Sequence, residues 1–247
     1  MRRMTDLQPP RTRRLRPFFA GLACATVAFA LLCGGASAAD APTQKIQAWA
    51  YPAAPAPIRA APSTTARTIS RLHFTTELGD AEVYEASARI DNADGGAWLR
   101  IAVLGRPNGR FGWVPASALG PLHQTNDLLV ISRSKLKATL HRGGRVIWHT
   151  RVGIGKASTP TPGGHFYIRE ALSVGASNGV FGAFAFGTSA YSPGLSDWPA
   201  GGVIGIHGTN QPNLLPGRIS HGCIRMRNAA ILRLRRLIKV GTPLQIR

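Results

Sequence analysis

Hydrophobic and polar positions alternate in short runs along most of this chain. In Trp98-Leu-Arg-Ile-Ala-Val103, Leu99, Ile101 and Val103 share one face, and Trp98, Arg100 and Ala102 share the other. That period of two predicts a strand packed on one side. Thr68-Ile-Ser-Arg-Leu72, Glu82-Val-Tyr84 and Arg110-Phe-Gly-Trp-Val114 read the same way. Gly79-Asp80, Asp94-Gly-Gly96 and Pro107-Asn-Gly109 punctuate them as turns. Leu128-Leu-Val-Ile-Ser132, Lys137-Ala-Thr-Leu140 and Arg145–Val152 continue as hairpin-forming strands, the last two joined by Gly143-Gly144. Pro160 and Pro162 exclude helix interior and central strand from Ser158-Thr-Pro-Thr-Pro-Gly-Gly164, which predicts a rigid turn feeding a strand at His165–Ile168. Residues 173–203 are rich in Gly, Ala and Ser, show no clear period and are expected to wrap a site as loops. Only Asn228–Ile238 has helical spacing, with Asn228 as its cap and Ile231, Leu234, Leu237 and Ile238 on one stripe. Pro243–Arg247 reads as a final strand. The fold class expected is mostly β with one short helix.

Composition divides the chain further. Residues 1–17 hold six arginines and one acid, residues 18–33 are apolar, and Ala36-Ser-Ala38 offers a small-residue cleavage site. Residues 1–38 therefore read as a signal peptide. The chain is expected in the periplasm or the extracellular wall, or held at the membrane if the signal stays uncleaved. Residues 39–63, rich in Ala and Pro, read as a linker or the arm of a first strand. Residues 64–120 read as a small β-barrel, and 122–247 as a second β-rich domain. Residues 40–120 are nearly neutral, with 8 basic and 7 acidic side chains; residues 121–247 carry 16 basic groups against Asp127, Glu170 and Asp197. Such a surface favours polyanionic partners, which for an exported protein are anionic wall polymers, peptide carboxylates or lipid headgroups. Export argues against nucleic acid, and no zinc-finger or RNP pattern is present in the sequence.

Candidate chemistry concentrates at Ile204-Gly-Ile-His207-Gly-Thr209 and Ile219-Ser-His221-Gly-Cys223-Ile-Arg225. Cys24 and Cys33 leave with the signal, so Cys223 has no intrachain partner in an oxidising compartment. A neighbouring histidine can take a thiol's proton, and cationic surroundings favour the thiolate. On that basis Cys223 should react with iodoacetamide faster near neutral pH than a model thiol. His207, at the end of an apolar strand, is the preferred base, with His221 the other candidate. No carboxylate is suitably placed for a triad, and the Gly208 carbonyl can fix the imidazole tautomer instead. Gly222 permits a sharp turn, and the amides of Gly222 and Cys223 are candidates for an oxyanion hole. Arg225 either binds a substrate carboxylate or pairs within the fold, and Ser220 can hydrogen-bond within the turn or meet substrate. A zinc site of His207, His221 and Cys223 is weaker, because its third ligand would use the nucleophile. No metal or organic cofactor is expected.

Two resemblances follow from these motifs. Trp98-Leu with Gly109-Arg-Phe-Gly-Trp-Val-Pro-Ala-Ser-Ala-Leu119 resembles bacterial SH3-like domains, which implies a module that binds wall peptides or orients an enzyme beside them. Ile206-His-Gly-Thr209, Ile219-Ser-His-Gly-Cys-Ile-Arg-Met226 with Asn228, and Thr159-Pro-Thr-Pro-Gly-Gly-His-Phe166 resemble the YkuD-type L,D-transpeptidase catalytic signature. The resemblance implies a β-rich domain acting on peptidoglycan stem peptides, with Cys223 as nucleophile, His207 as base and Gly208 as its orienter. It also implies that His221 and Gly222 shape the site, and that Arg225, Ser220 and Asn228 stand on the substrate side. The expected reaction joins a tetrapeptide donor to a diamino-acid amine through a thioester, giving 3→3 crosslinks, and such an acyl-enzyme would be trapped by carbapenems. The rival expectations are an L,D-carboxypeptidase and a non-enzymatic wall-binding protein. His165 has no role in this reading.

Overall fold

The computed structural model describes residues 42–174, 179–195 and 199–247. The expected signal peptide, together with Asp197 and Trp198, lies outside them. Two sheets hold the strands of the described chain, with one α-helix among the described residues.

The first sheet comprises β1 (Gln44–Ala50), β2 (Pro57–Arg59), β3 (Thr68–Arg71), β4 (Tyr84–Asp91), β5 (Ala97–Ala102), β6 (Phe111–Pro115) and β7 (His123–Gln124). They pair in the order β3-β2-β6-β5-β4-β1-β7. The sheet thus begins inside the Ala/Pro-rich stretch, since β1 pairs antiparallel with β4, and it ends at β7, past the boundary read at residue 120. Alternation along β4 and β5 sends Tyr84, Ala86, Leu99 and Ile101 into a core with Ile58 and Val114.

The second sheet is mixed. It comprises β8 (Asp127–Ser132), β9 (Lys137–Arg142), β10 (Arg145–Arg151), β11 (Gly153–Gly155), β12 (Gly164–Leu172), β13 (Ala185–Tyr191), β14 (Val203–His207), β15 (Gly217–Ser220), β16 (Ile224–Arg225) and β17 (Pro243–Ile246). The order is β10-β9-β8-β17-β12-β13-β14-β16-β11-β15. The helix α1 (Asn228–Arg235) buries Ile231 and Leu234 in the same core as Leu129, Ile154, Phe186 and Ile206.

Two expectations need correction. Residues 173–203 were expected as loops, but β13 lies within them, paired on both sides. It is built from small residues because its neighbours cross it closely, so the usual bulky alternation is muted; Phe184 and Phe186, both buried, were the available period-two signal. Asn228 does not cap α1 through its side chain. Its Oδ1 instead accepts from the amides of Ala183 and Thr209, at 3.2 and 3.0 Å, and so ties down the loop that follows His207.

The two sheets are packed through polar as well as apolar contacts. Arg169 on β12, 2% exposed, donates from Nε to Glu82 Oε1 at 3.0 Å. It also meets Glu77 at 2.9 Å and the Tyr191 hydroxyl at 3.1 Å. A buried guanidinium requires such complete pairing, because desolvation otherwise outweighs attraction. The Tyr167 hydroxyl donates to the Val83 carbonyl at 3.0 Å. Trp49 covers Gly241, where a Cβ would fall 2.1 Å from its ring.

Candidate active site

The thiol is presented by a turn between β15 and β16. Gly222 takes φ +120°, a conformation that L side chains rarely adopt, and a Cβ there would meet Ile204 Cδ1 at 2.9 Å. Ser220 holds this turn: its buried hydroxyl donates to the Cys223 carbonyl at 2.5 Å and accepts from the Gly222 amide at 3.1 Å. Ser220 is therefore committed to the turn, and it also lines the cleft beside Cys223. The Gly222 amide, expected in an oxyanion hole, is used within the turn, which leaves the Cys223 amide of that pair.

The Pro-rich turn at 159–164 supplies the outer brace. Thr161 is 1% exposed; its Oγ1 donates to the Gly222 carbonyl at 2.6 Å and accepts from the Gly155 amide at 2.9 Å. The Thr159 hydroxyl donates to the Ser220 carbonyl at 3.2 Å. Sequence reasoning identified this turn but not what it holds.

His207 closes β14. Its register with Arg225 on β16, one strand away, puts it beside the thiol turn. Cys223 Sγ accepts from the Gly205 amide at 3.4 Å. A Cβ built on Gly205 would lie 3.8 Å from both Cys223 Sγ and His207 Cδ2. Thiol and imidazole thus both lie beside Gly205. His207 Nδ1 stands 2.6 Å from the Gly208 oxygen; a carbonyl only accepts, so Nδ1 carries the proton and Nε2 keeps its lone pair. Phe181 packs edge-on against the imidazole, centroids 5.1 Å apart. Sequence reasoning missed Gly205, whose contribution depends on strand register, and Phe181, which a turn before β13 brings to the imidazole. His221 is exposed and lines the cleft mouth.

The electrostatics reverse one expectation. Burial pulls His207 down to about 4, opposed by its Gly208 contact and reinforced by Arg225. Burial pushes the Cys223 thiol up; the Gly205 amide and Arg225 oppose that only in part. At neutral pH the resting pair is therefore thiol and neutral imidazole, not thiolate and imidazolium. Arg225 is the cation nearest this chemistry, and its Nε is buried with no hydrogen-bond partner among the described residues. That favours its reading as a ligand-binding group over internal pairing.

Two clefts meet at Cys223, His207, Phe181 and Val203. One, about 170 Å³, is further lined by Arg225, His221 and Ser220. The other, about 210 Å³, runs over Gly205 and Gly187 to Glu170, Leu172 and Leu78. Among the described residues no group of three or more His, Cys, Asp or Glu side chains is placed to hold a metal ion. The zinc triad weighed from sequence therefore does not form.

A half-buried cysteine and a histidine of fixed tautomer stand together at the junction of two clefts. The comparisons narrow the class. Residues 126–246 match the YkuD family model, the L,D-transpeptidase catalytic domain. Over 119 residues the chain is 32% identical to YkuD of Bacillus subtilis, a match covering 48% of this chain and 64% of that protein. It is 29% identical over 133 residues to YqjB of the same organism, covering 50% and 66% respectively. The chain thus spans about two-thirds or less of these relatives. A solved Enterococcus faecium L,D-transpeptidase aligns at TM-score 0.40 and 19% identity, over 51% of this chain and 55% of that one. A Mycobacterium tuberculosis L,D-transpeptidase aligns at TM-score 0.42 and 15% identity, over 67% and 90%. Residues 126–246 are thus similar to a YkuD-type L,D-transpeptidase catalytic domain.

Proposed function

We propose that this chain is an exported peptidoglycan L,D-transpeptidase that forms 3→3 crosslinks through a thioester on Cys223. The observation that carries this is the Cys223–Gly205–His207 arrangement, with the imidazole tautomer set by Gly208. Donor binding brings the scissile carbonyl to Sγ. The thiol proton passes to His207 Nε2 as sulfur attacks the carbon of the L-centre–D-Ala bond. The C–N bond breaks, His207 returns the proton to the departing D-Ala amine, and Arg225 holds its carboxylate. A diamino-acid amine on a neighbouring stem then attacks the thioester and restores the thiol. The same thioester chemistry supports carbapenem capture.

The first sheet is proposed to be an SH3-like module set beside the catalytic domain; the basic surface of residues 121–247 supports attraction to anionic wall polymers. Mass spectrometry of the full chain with a disaccharide-tetrapeptide, beside a Cys223→Ala control, tests the reaction. Cys223-dependent dimers linked through their diamino acids are expected. D-Ala loss without dimers would replace the reading with an L,D-carboxypeptidase. No Cys223-dependent change would leave a wall-binding protein.

A further inference from the structure

The second cleft holds a carboxylate that the acylation step does not use. Residues 121–247 contain three acids: Asp127 is paired with Arg142, Asp197 lies outside the described residues, and the third is Glu170. Glu170 is 2% exposed, yet it lines the cleft that ends at Cys223. Its Oε2 accepts from the Thr76 hydroxyl at 2.7 Å. Oε1 has no hydrogen-bond partner among the described residues, and the adjacent Arg169 is committed to Glu77 and Glu82.

Strand register aims this carboxylate at the thiol. Glu170 on β12 pairs with Gly187 on β13, and Gly187 pairs with Gly205 on β14. A Cβ on Gly187 would fall 2.2 Å from Glu170 Oε1, and one on Gly205 would fall 3.8 Å from Cys223 Sγ. The carboxylate therefore lies over one glycine and the sulfur over its neighbour on the next strand. Strands lie about 4.8 Å apart, which puts Oε1 roughly one to two strand spacings from sulfur. The glycine pair forms a trough between them, and Leu172, Phe186 and Leu78 make its walls apolar. An apolar trough with one buried, half-satisfied carboxylate fits an aliphatic chain bearing a terminal ammonium. The other cleft has the opposite polarity, with Arg225 and His221 suited to a carboxylate.

We propose that Glu170 is the amine-acceptor residue: it binds the acceptor's terminal ammonium and takes one of its protons. The proposal rests on the transpeptidase reading and assigns the cleft that the acceptor uses. The ammonium gives one proton to Glu170, and the neutral amine nitrogen attacks the thioester carbon. The new C–N bond forms as C–S breaks. The nitrogen's second departing proton passes through His207 to sulfur, restoring the thiol, and Glu170 releases its proton to solvent. Burial raises Glu170 above the ordinary carboxylate range, against the opposing pull of Thr76 and Arg169, which suits it to accept a proton.

The test is Glu170→Gln in the full chain, whose side-chain oxygen can still accept from Thr76. Transfer from a disaccharide-tetrapeptide to Nα-acetyl-lysine should fall tenfold or more, with a raised acceptor KM. Transfer to hydroxylamine, which is neutral at pH 7, and D-Ala release should stay within twofold. Equal losses for both nucleophiles and for D-Ala release would reduce Glu170 to a structural role, and no change would remove it from the reaction. Calorimetric binding of Nα-acetyl-lysine to the Cys223→Ala protein separates the two readings. Glu170-dependent binding without any transfer by the unmodified chain overturns the transpeptidase function but keeps the cation site. Binding that Glu170→Gln leaves unchanged overturns the site.

Discussion

The depressed imidazole at His207 makes a prediction about pH. His207 is held down to about 4 by burial, against an ordinary value of 6.5. In the proposed reaction the base is the neutral form, so activity is present above the folded-state value and lost as pH falls through it. At pH 5.5 an ordinary histidine would be about 9% neutral, whereas one at about 4 is about 97% neutral. The competent fraction thus differs about tenfold at that pH. The kcat/KM for Cys223-dependent D-Ala release, measured from pH 3.5 to 9, should show its acid limb near pH 4 and stay flat through pH 6. Desolvation pushes the half-buried thiol up, so iodoacetamide should modify Cys223 more slowly at pH 7 than it modifies glutathione. An acid limb at 6 to 6.5, with alkylation faster than glutathione, would refute this account and restore a preformed thiolate–imidazolium pair.

Two further outcomes follow from the supports of the site. Thr161→Val keeps the shape but leaves the Gly155 amide and the Gly222 carbonyl without their buried partner; urea unfolding should show a loss of about 2 kcal/mol, and D-Ala release should fall about tenfold as the turn loosens. Arg169→Met strands Glu82, which is 0% exposed, and should cost about 3–5 kcal/mol. That loss should appear as a melting-temperature drop of roughly 10 °C, and adding Glu82→Gln should recover part of it.

The site was more legible in sequence than its electrostatics. His207, Gly208 and Cys223 sit in short local motifs, and the glycine beside the thiol announced the turn that Gly222 makes. Most strands were legible because alternation and glycine turns are local signals. β13 was not, since a central strand of small residues is dictated by what crosses it. Asn228 had the sequence of a helix cap, but two loop amides compete for its oxygen and win. The direction of the Cys223 shift depends on burial from strands far apart in the chain, so the motif alone suggested the opposite sign. Glu170 gave no sequence signal at all, because only the β12–β13–β14 register sets it over Gly187.

The first sheet is tied to this chemistry more closely than an appended module would be. The family match begins at residue 126, after β7. Yet Thr76 donates to Glu170 and Leu78 forms the far wall of the cleft, and both precede that boundary. Without the segment that precedes residue 126, Tyr167, Arg169 and Glu170 on β12 would each lose a buried partner. One of them lines the cleft, and another is a buried cation. Unpaired buried polar groups cost more than the contacts they replace, so β12 would shift toward solvent and take Glu170 from the trough. The segment outside the family match therefore sets the shape of the second cleft. The choice of the proposed acceptor should accordingly depend on the loop at 73–82 even though the proposed nucleophile lies beyond residue 200.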